Sequence, residues 1–192
     1  MSPSQPSPGL RTVEDLLRAG DDRALELIGG DIVEKAQPSF DHGTAQAGLS
    51  HVLGGFRGGG GGPHGPGGWW LGVEVDVLYG AHDVYRHDLS GWRRERVPER
   101  PRGRPVSVRP DWVCEVVSRS NASNDRVRKL RGLHRYGVPH YWLLDPEEGT
   151  LSVLRWAEPG YLTVLVATVD ETVRAEPFES IEISLPRVLD LD

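Results

Sequence analysis

Three polar residues in this chain combine type and spacing in a way that can do chemistry: Asp88 in YRHDL, Glu115 in WVCEVVS and Lys129 in SNDRVRKLRGLHRYG. Asp88 ends a strand-like run, Glu115 sits inside an apolar one, and Lys129 falls on a stretch with helical periodicity. Two carboxylates on neighbouring strands can share one hard divalent cation. A lysine beside them can steer a water or stabilise charge building on a phosphorane. Together they are the minimal equipment for metal-dependent hydrolysis of a phosphodiester.

The lysine is informative for a second reason. Of the 22 basic side chains only Lys35 and Lys129 are lysine, and the rest are arginine. Lysine is a compact point charge whose pKa shifts readily, whereas arginine is a rigid fork that stays protonated. A chain so biased toward arginine has a chemical reason to keep lysine at 129. A solvated helix lysine is the plain alternative.

The elements that must position these residues can be read along the chain. Thr12, Glu14 and Asp15 start a short helix that Gly20 ends. LELIGGDIVEKA reads as a β-hairpin around Gly-Gly-Asp, with Leu25 and Leu27 on one face and Glu26 on the other. Ser39 or Asp41 caps a helix over about 42–57, whose apolar side carries Leu49, Val52, Leu53 and Phe56. WWLGVEVDVLY forms a strand with Leu71, Val73, Val75 and Val77 on one face and Glu74 and Asp76 on the other. DVYRHDLSGWR and VRPDWVCEVVS form the next two strands. A helix over 123–136 buries Val127, Leu130 and Leu133. HYWLLD, TLSVLRW, YLTVLVATV and SIEISL complete the strands. The expected fold is α/β (α+β): a mixed sheet flanked by helices, with an N-terminal hairpin. A helical crossover joins two parallel strands.

One domain is expected over 12–192, preceded by a disordered Pro/Ser-rich tail at 1–11 and interrupted by a Gly-rich loop at 58–68. No run of 18 apolar residues occurs, so no membrane span is expected, and MSPSQPSPGLRTVEDL lacks the features of a secretory signal. The single cysteine, Cys114, excludes an intrachain disulfide and a cysteine-based zinc site. A cytoplasmic protein is expected. The formal charge of −6 sits awkwardly with a nucleic-acid partner. The charges are uneven, however. Eight arginines fall between Arg86 and Arg109 against Asp88, Glu95 and Glu99, and six basic residues between Arg119 and Arg135 against Asp125. That pattern permits a nucleic-acid face without requiring one, and a solvated charged loop explains 93–104 equally well.

Strand geometry separates Asp111 from the site. Four residues along a strand span roughly 13 Å, too far for Asp111 to share an ion with Glu115, so Asp111 is expected to cap the strand entry. Alternation puts Glu115 and Val117 on one face and Cys114 and Val116 in the core, leaving the Val116 carbonyl as a further metal ligand. Asp125, four residues before Lys129, can orient it or form a surface pair or cap. Glu26 can reach the metal or simply face solvent. His42 reads better as structural than as a phosphate contact or base. Trp69, Trp70, Tyr141 and Trp142 read as core or dimer contacts.

An Asp followed by Glu-x-Lys on adjacent strands resembles the PD-(D/E)xK nuclease superfamily. Val117 stands at the usual lysine position, and Lys129 is placed for the branch in which the lysine has moved to the following helix. LELIGGDIVEK, His42, RHD, EVVSRSNASNDRVRK and RYGVPHYWLLDP, in this order over about 12–170, resemble a restriction-endonuclease family known as Uma-two-like. His87 stands where proline is usual and His140 where glutamate is usual. The resemblance implies a restriction-endonuclease-like fold, with Asp88 and Glu115 ligating Mg²⁺ or Mn²⁺ and Lys129 assisting catalysis. The expected partner is DNA, cut by a homodimer matched to the two-fold symmetry of duplex. A non-catalytic DNA- or protein-binding module on the same fold is the rival expectation, and RNA is the alternative substrate.

Overall fold

The computed structural model describes residues 9–20, 23–58, 66–119 and 122–191. Parts of the expected tail (1–8) and of the Gly-rich loop (59–65) lie outside them. After the short helix α1 (Val13–Arg18), strands β1 (Leu25–Ile28) and β2 (Asp31–Glu34) form the expected hairpin. Gly29 and Gly30 turn it with φ of 60° and 83°, a region that costs glycine nothing.

Helix α2 (Phe40–Val52) follows, capped by Ser39, whose hydroxyl accepts the His42 N–H at 3.2 Å, and it tightens into a 3₁₀ turn at Leu53–Phe56. Strands β3 (Trp69–Gly80), β4 (Asp83–Arg93) and β5 (Trp112–Val116) come next. A π-helical turn (Asn124–Lys129) and helix α3 (Leu130–Arg135) cross over to β6 (His140–Asp145), which runs parallel to β5 as expected. Strands β7 (Thr150–Arg155) and β8 (Leu162–Thr168) extend the sheet. The result is an eight-stranded mixed sheet in the order β2-β1-β4-β5-β6-β7-β8, with β3 paired to β4.

β4 organises the site. β3 occupies one edge along its whole length. The other edge is divided: Val84 pairs with Leu27 of β1, while Leu89, Ser90 and Gly91 pair with Cys114, Val113 and Trp112 of β5. Between these two partners the sheet forks. Buried backbone donors need acceptors, and carboxylates supply them here. The Arg86 N–H donates to Glu26 at 2.8 Å, and the Val116 N–H to Asp88 Oδ2 at 2.7 Å.

Alternation along β5 splits the core in two. Trp112, Cys114 and Val116 pack with Leu49, Leu53, Trp142 and Phe178 on the α2 side. Val113 and Val117 pack with Leu133, Val138 and Tyr141 on the α3 side. Trp69, Tyr141 and Trp142 are core residues, as expected, and buried Cys114 has its thiol pKa pushed up by desolvation.

Three expectations need correction. The helix over 123–136 is broken into the π turn and α3, and Val127 is 41 % exposed, because the wider turn rotates it away from the sheet while aiming Asp125 and Lys129 inward. The apolar face of β3 is not continuous. Glu74 adopts a left-handed φ of 52°, so Leu71 packs with the α2-side core, Val75 and Val77 pack with Trp92 and Val106, and Val73 is left exposed. Finally, SIEISL pairs only at β10 (Ile183–Ser184), with β9 (Thr172–Val173), and then turns into helix α4 (Leu185–Val188). α4 packs under α2 at Gly48, where a Cβ would clash with the Val188 carbonyl oxygen.

Candidate active site

The fork gathers two lysine-centred clusters, and both lysines of the chain are in them. In the first, Lys129 Nζ lies 2.9 Å from Glu26 Oε1, 3.2 Å from Glu115 Oε1 and 3.3 Å from Asp125 Oδ1. All four side chains are buried. Asp125 and Lys129, four residues apart on the π turn, meet at one point, and the Tyr141 hydroxyl anchors the turn by donating to the Asp125 carbonyl at 2.9 Å. Glu115 Oε1 also accepts from His87 Nδ1 at 2.6 Å, and the Tyr79 hydroxyl lies 2.8 Å from His87 Nε2. Burial drives the His87 pKa down to about 3, so the ring is neutral, donating to Glu115 through Nδ1 and accepting from Tyr79 at Nε2.

One ammonium faces three carboxylates here. Burial raises the Glu115 carboxyl pKa, and it raises that of Asp125 to about 7, against the opposing pull of Lys129. Burial works against the charge on Lys129 as well, but Glu115, Glu26 and Asp125 outweigh it and hold the ammonium protonated.

In the second cluster Lys35, just past β2, places Nζ 2.6 Å from Asp88 Oδ1 and 3.2 Å from Glu74 Oε2. His42 Nε2 lies 3.2 Å from the same Asp88 oxygen. Gln46, one helical turn beyond His42 on α2, donates to Glu74 Oε1 at 2.8 Å and to the Asp88 carbonyl at 3.1 Å. Burial alone would raise the Asp88 pKa, but the His42 hydrogen bond and the Lys35 charge bring it well below the ordinary range. This cluster is open at one side, since the Glu74 side chain is 45 % exposed.

Asp88, Glu115 and Lys129 thus all come to the fork. Continuing the β4–β5 register places Asp88 opposite Glu115, the cross-strand approach that the sequence suggests. Glu26 is buried against Lys129 rather than facing solvent, and Asp125 orients the lysine rather than forming a surface pair. His42 contacts Asp88 directly, beyond the structural role expected of it. Asp111 sits off the site, accepting from the Arg93 N–H and Arg96 Nε. Val116 enters through its N–H, the contact already described to Asp88. Lys35, Gln46, His87 and Tyr79 are the site residues that sequence reasoning missed, and Glu74 was read only as sharing an acidic face with Asp76. The signal for Lys35 was its rarity, shared with Lys129. The His42/Gln46 spacing was visible too, but nothing local ties Glu74 to Asp88.

The basic loop after β4 is largely committed to the protein. The Arg93 and Arg94 guanidinium groups lie over Trp69 and Trp70, at 4.7 and 3.5 Å from the ring centres. Arg96 pairs with Asp111 and Arg104 with Asp76. Arg100 and Arg102 point to solvent.

The donor set suits a divalent cation. His42, Glu74 and Asp88 each offer a ligand atom within 4.8 Å of the others. Glu115 Oε2 is buried without a hydrogen-bond partner among the described residues, an acceptor whose desolvation a cation would offset. Among the described residues no helix is long and apolar enough to cross a membrane.

Comparison with known proteins agrees with this architecture. Residues 11–187 match the model of the Uma2 family, described as "Putative restriction endonuclease". The crystal structure of "a putative nuclease belonging to DUF820" from Anabaena variabilis ATCC 29413 superposes with a TM-score of 0.69 at 21% identity, over 93% of this chain and 97% of that one. At that identity the likeness is one of fold. A search of curated proteins found no match.

Proposed function

Since the chain belongs to the Uma2 family of restriction-endonuclease-like proteins, we propose that it is a metal-dependent endonuclease that hydrolyses phosphodiester bonds of DNA. The observation that carries the reading is the buried, cross-strand placement of Asp88 and Glu115, each with a lysine ammonium on one carboxylate oxygen.

In this reading Asp88, Glu115 and the Val116 carbonyl hold Mg²⁺ or Mn²⁺. A divalent ion there supplies a water of lowered pKa and neutralises charge on the scissile phosphate. Lys129, fixed by Glu26 and Asp125, keeps Glu115 oriented and adds its positive charge to the site from beneath these carboxylates, without touching the phosphorane. His87 holds the same Glu115 oxygen, and Tyr79 holds His87. Arg100 and Arg102, with arginines of 119–135, supply backbone contacts. A homodimer belongs to the proposal through the symmetry of duplex DNA.

Supercoiled-plasmid nicking with Mg²⁺ and Mn²⁺ tests it, comparing wild type with Asp88→Asn and Glu115→Gln purified in parallel. Metal-dependent cutting lost in both variants is expected. Equal cutting by all three proteins overturns the assignment. No cutting by any, over a wide range of metal and salt, turns the reading toward a binding module, for which the acidic net charge speaks.

A further inference from the structure

Lys35 stands among the donors of an ion. Its Nζ touches Asp88 Oδ1 and Glu74 Oε2, and His42 Nε2 is aimed at the same Asp88 oxygen. Three features of this place are unusual together. His42 is buried, yet its Nε2 is directed at an oxygen that already receives an ammonium. Glu74 holds a left-handed backbone in the middle of a strand, a conformation disfavoured for a residue with a Cβ. The place is also reachable, because Glu74 is exposed and an open groove lined by Gly43, Gln46, Ala47, Ser50, Arg57 and Val73 runs up to Gln46.

We propose that His42, Glu74 and Asp88 form a second cation position, sharing Asp88 with the first, and that Lys35 is the resident cation a divalent ion displaces. One imidazole and two carboxylates suit a borderline transition ion such as Mn²⁺ or Co²⁺ better than Mg²⁺, which favours oxygen donors and retained waters. Displacement follows from space. An ion bound to Asp88 Oδ1 at about 2.0–2.2 Å and an ammonium 2.6 Å from the same oxygen repel each other and share a coordination site. Lys35 has a flexible stem and Glu74 marks the open side, so its charged head moves out to solvent still protonated. Lys129 has no such exit, being enclosed by Glu26, Glu115 and Asp125.

The inference rests on reading Asp88 as a metal-facing carboxylate, but its test needs no DNA. Mn²⁺ and Co²⁺ are titrated into the full chain by calorimetry, and acetic anhydride labelling is followed by mass spectrometry. With only two lysines, each reports separately. Lys35 should be protected without metal and acetylate at least about tenfold faster with saturating Mn²⁺, while Lys129 stays protected. His42→Gln and Glu74→Gln should each weaken Mn²⁺ binding about tenfold or more, the scale expected for metal-site partners, and His42→Gln should remove the preference for Mn²⁺ over Mg²⁺. Glu74 is exposed, so its variant reports even if the buried His42→Gln fails to fold. Mn²⁺ binding that leaves Lys35 protected and ignores Glu74→Gln overturns the proposal, as does the absence of any Mn²⁺ or Co²⁺ binding. Plasmid cutting is a separate readout: an ion that binds here without any cutting defeats the nuclease reading and leaves this site standing.

Discussion

The two halves of the fork are built from the same parts and behave oppositely. On the α3 side, Lys129 is sealed beneath three carboxylates with no polar exit. On the α2 side, Lys35 meets two carboxylates and a histidine, with Glu74 open to solvent. Desolvation dominates the closed half and raises the pKa of Glu115 and Asp125. Hydrogen bonding and a nearby charge dominate the open half and lower that of Asp88. Asp88 is as buried as Asp125, so the balance of charges sets the sign of the shift. Three carboxylates share one ammonium on the closed side, whereas Lys35 and His42 both serve Asp88 on the open side. Enclosure decides which lysine can leave.

The largest test of this contrast is to remove each ammonium. Lys129→Met strands buried carboxylates and should destabilise the fold by about 3–5 kcal/mol, the usual cost of breaking a buried pair from one side. Cleavage should be lost with it, so loss of activity here needs a stability measurement beside it. Lys35→Met should cost only about 1–2 kcal/mol, because Asp88 keeps the Val116 N–H and His42, and Glu74 keeps water and Gln46. Urea unfolding of the two variants checks the difference. Equal losses would mean that the halves are energetically alike.

Opposite pKa shifts give opposite pH slopes. Asp125 titrates near 7 when folded against an ordinary 3.8, so the folded chain holds its proton more tightly than the unfolded one. The stabilisation linked to that proton is complete below about pH 4 and lost as pH rises through 7. Asp88, with its pKa lowered, contributes stability above its ordinary 3.8 that is lost as pH falls. Asp125→Asn should therefore flatten the stability profile between pH 4 and 7, and Asp88→Asn should flatten it on the acid side below 3.8. Denaturation series across pH separate the two, and a shared slope would remove the distinction.

Much of the closed half is legible in the sequence. Glu115 sits in an apolar strand, Lys129 on the next helix, and Asp125 four residues before it, all local patterns. Of the open half Asp88 is legible and the rest is not. Glu74 meets Lys35 and Gln46 only because β3 changes face at a left-handed residue, an event no periodicity announces. The same limit explains Val73 and Val127, both assigned to buried faces by spacing and both exposed where the backbone leaves ideal geometry. The hairpin, the parallel β5–β6 crossover and the buried Cys114 followed from alternation and turn chemistry, which dominate when an element is regular.

A smaller effect sharpens the contrast between His87 and His42. Neutral, fully buried His87 depends on the Tyr79 hydroxyl for its second nitrogen, while His42 faces the open cluster. Tyr79→Phe leaves Nε2 without its donor and should cost about 1–3 kcal/mol, with the backbone of the site unchanged. Thermal unfolding reads that loss, and an undiminished stability would mean that Glu115 alone holds the ring.

The smallest expected effect concerns the arginines, and it separates charges used for folding from charges left for a partner. Arg93, Arg94, Arg96 and Arg104 are spent on Trp69, Trp70, Asp111 and Asp76, whereas Arg100 and Arg102 project from the loop. If the loop tracks a phosphate backbone, Arg100→Ala and Arg102→Ala should each reduce the slope of log K against log salt for duplex DNA by about one, since each phosphate contact releases roughly 0.9 counterions. Neither should move the urea midpoint, because both residues are exposed. Arg96→Ala should do the reverse, lowering stability by releasing buried Asp111 while leaving the salt slope where it was. A salt slope unchanged by Arg100→Ala and Arg102→Ala would take DNA off this loop and place any contact on the basic face of α3 instead.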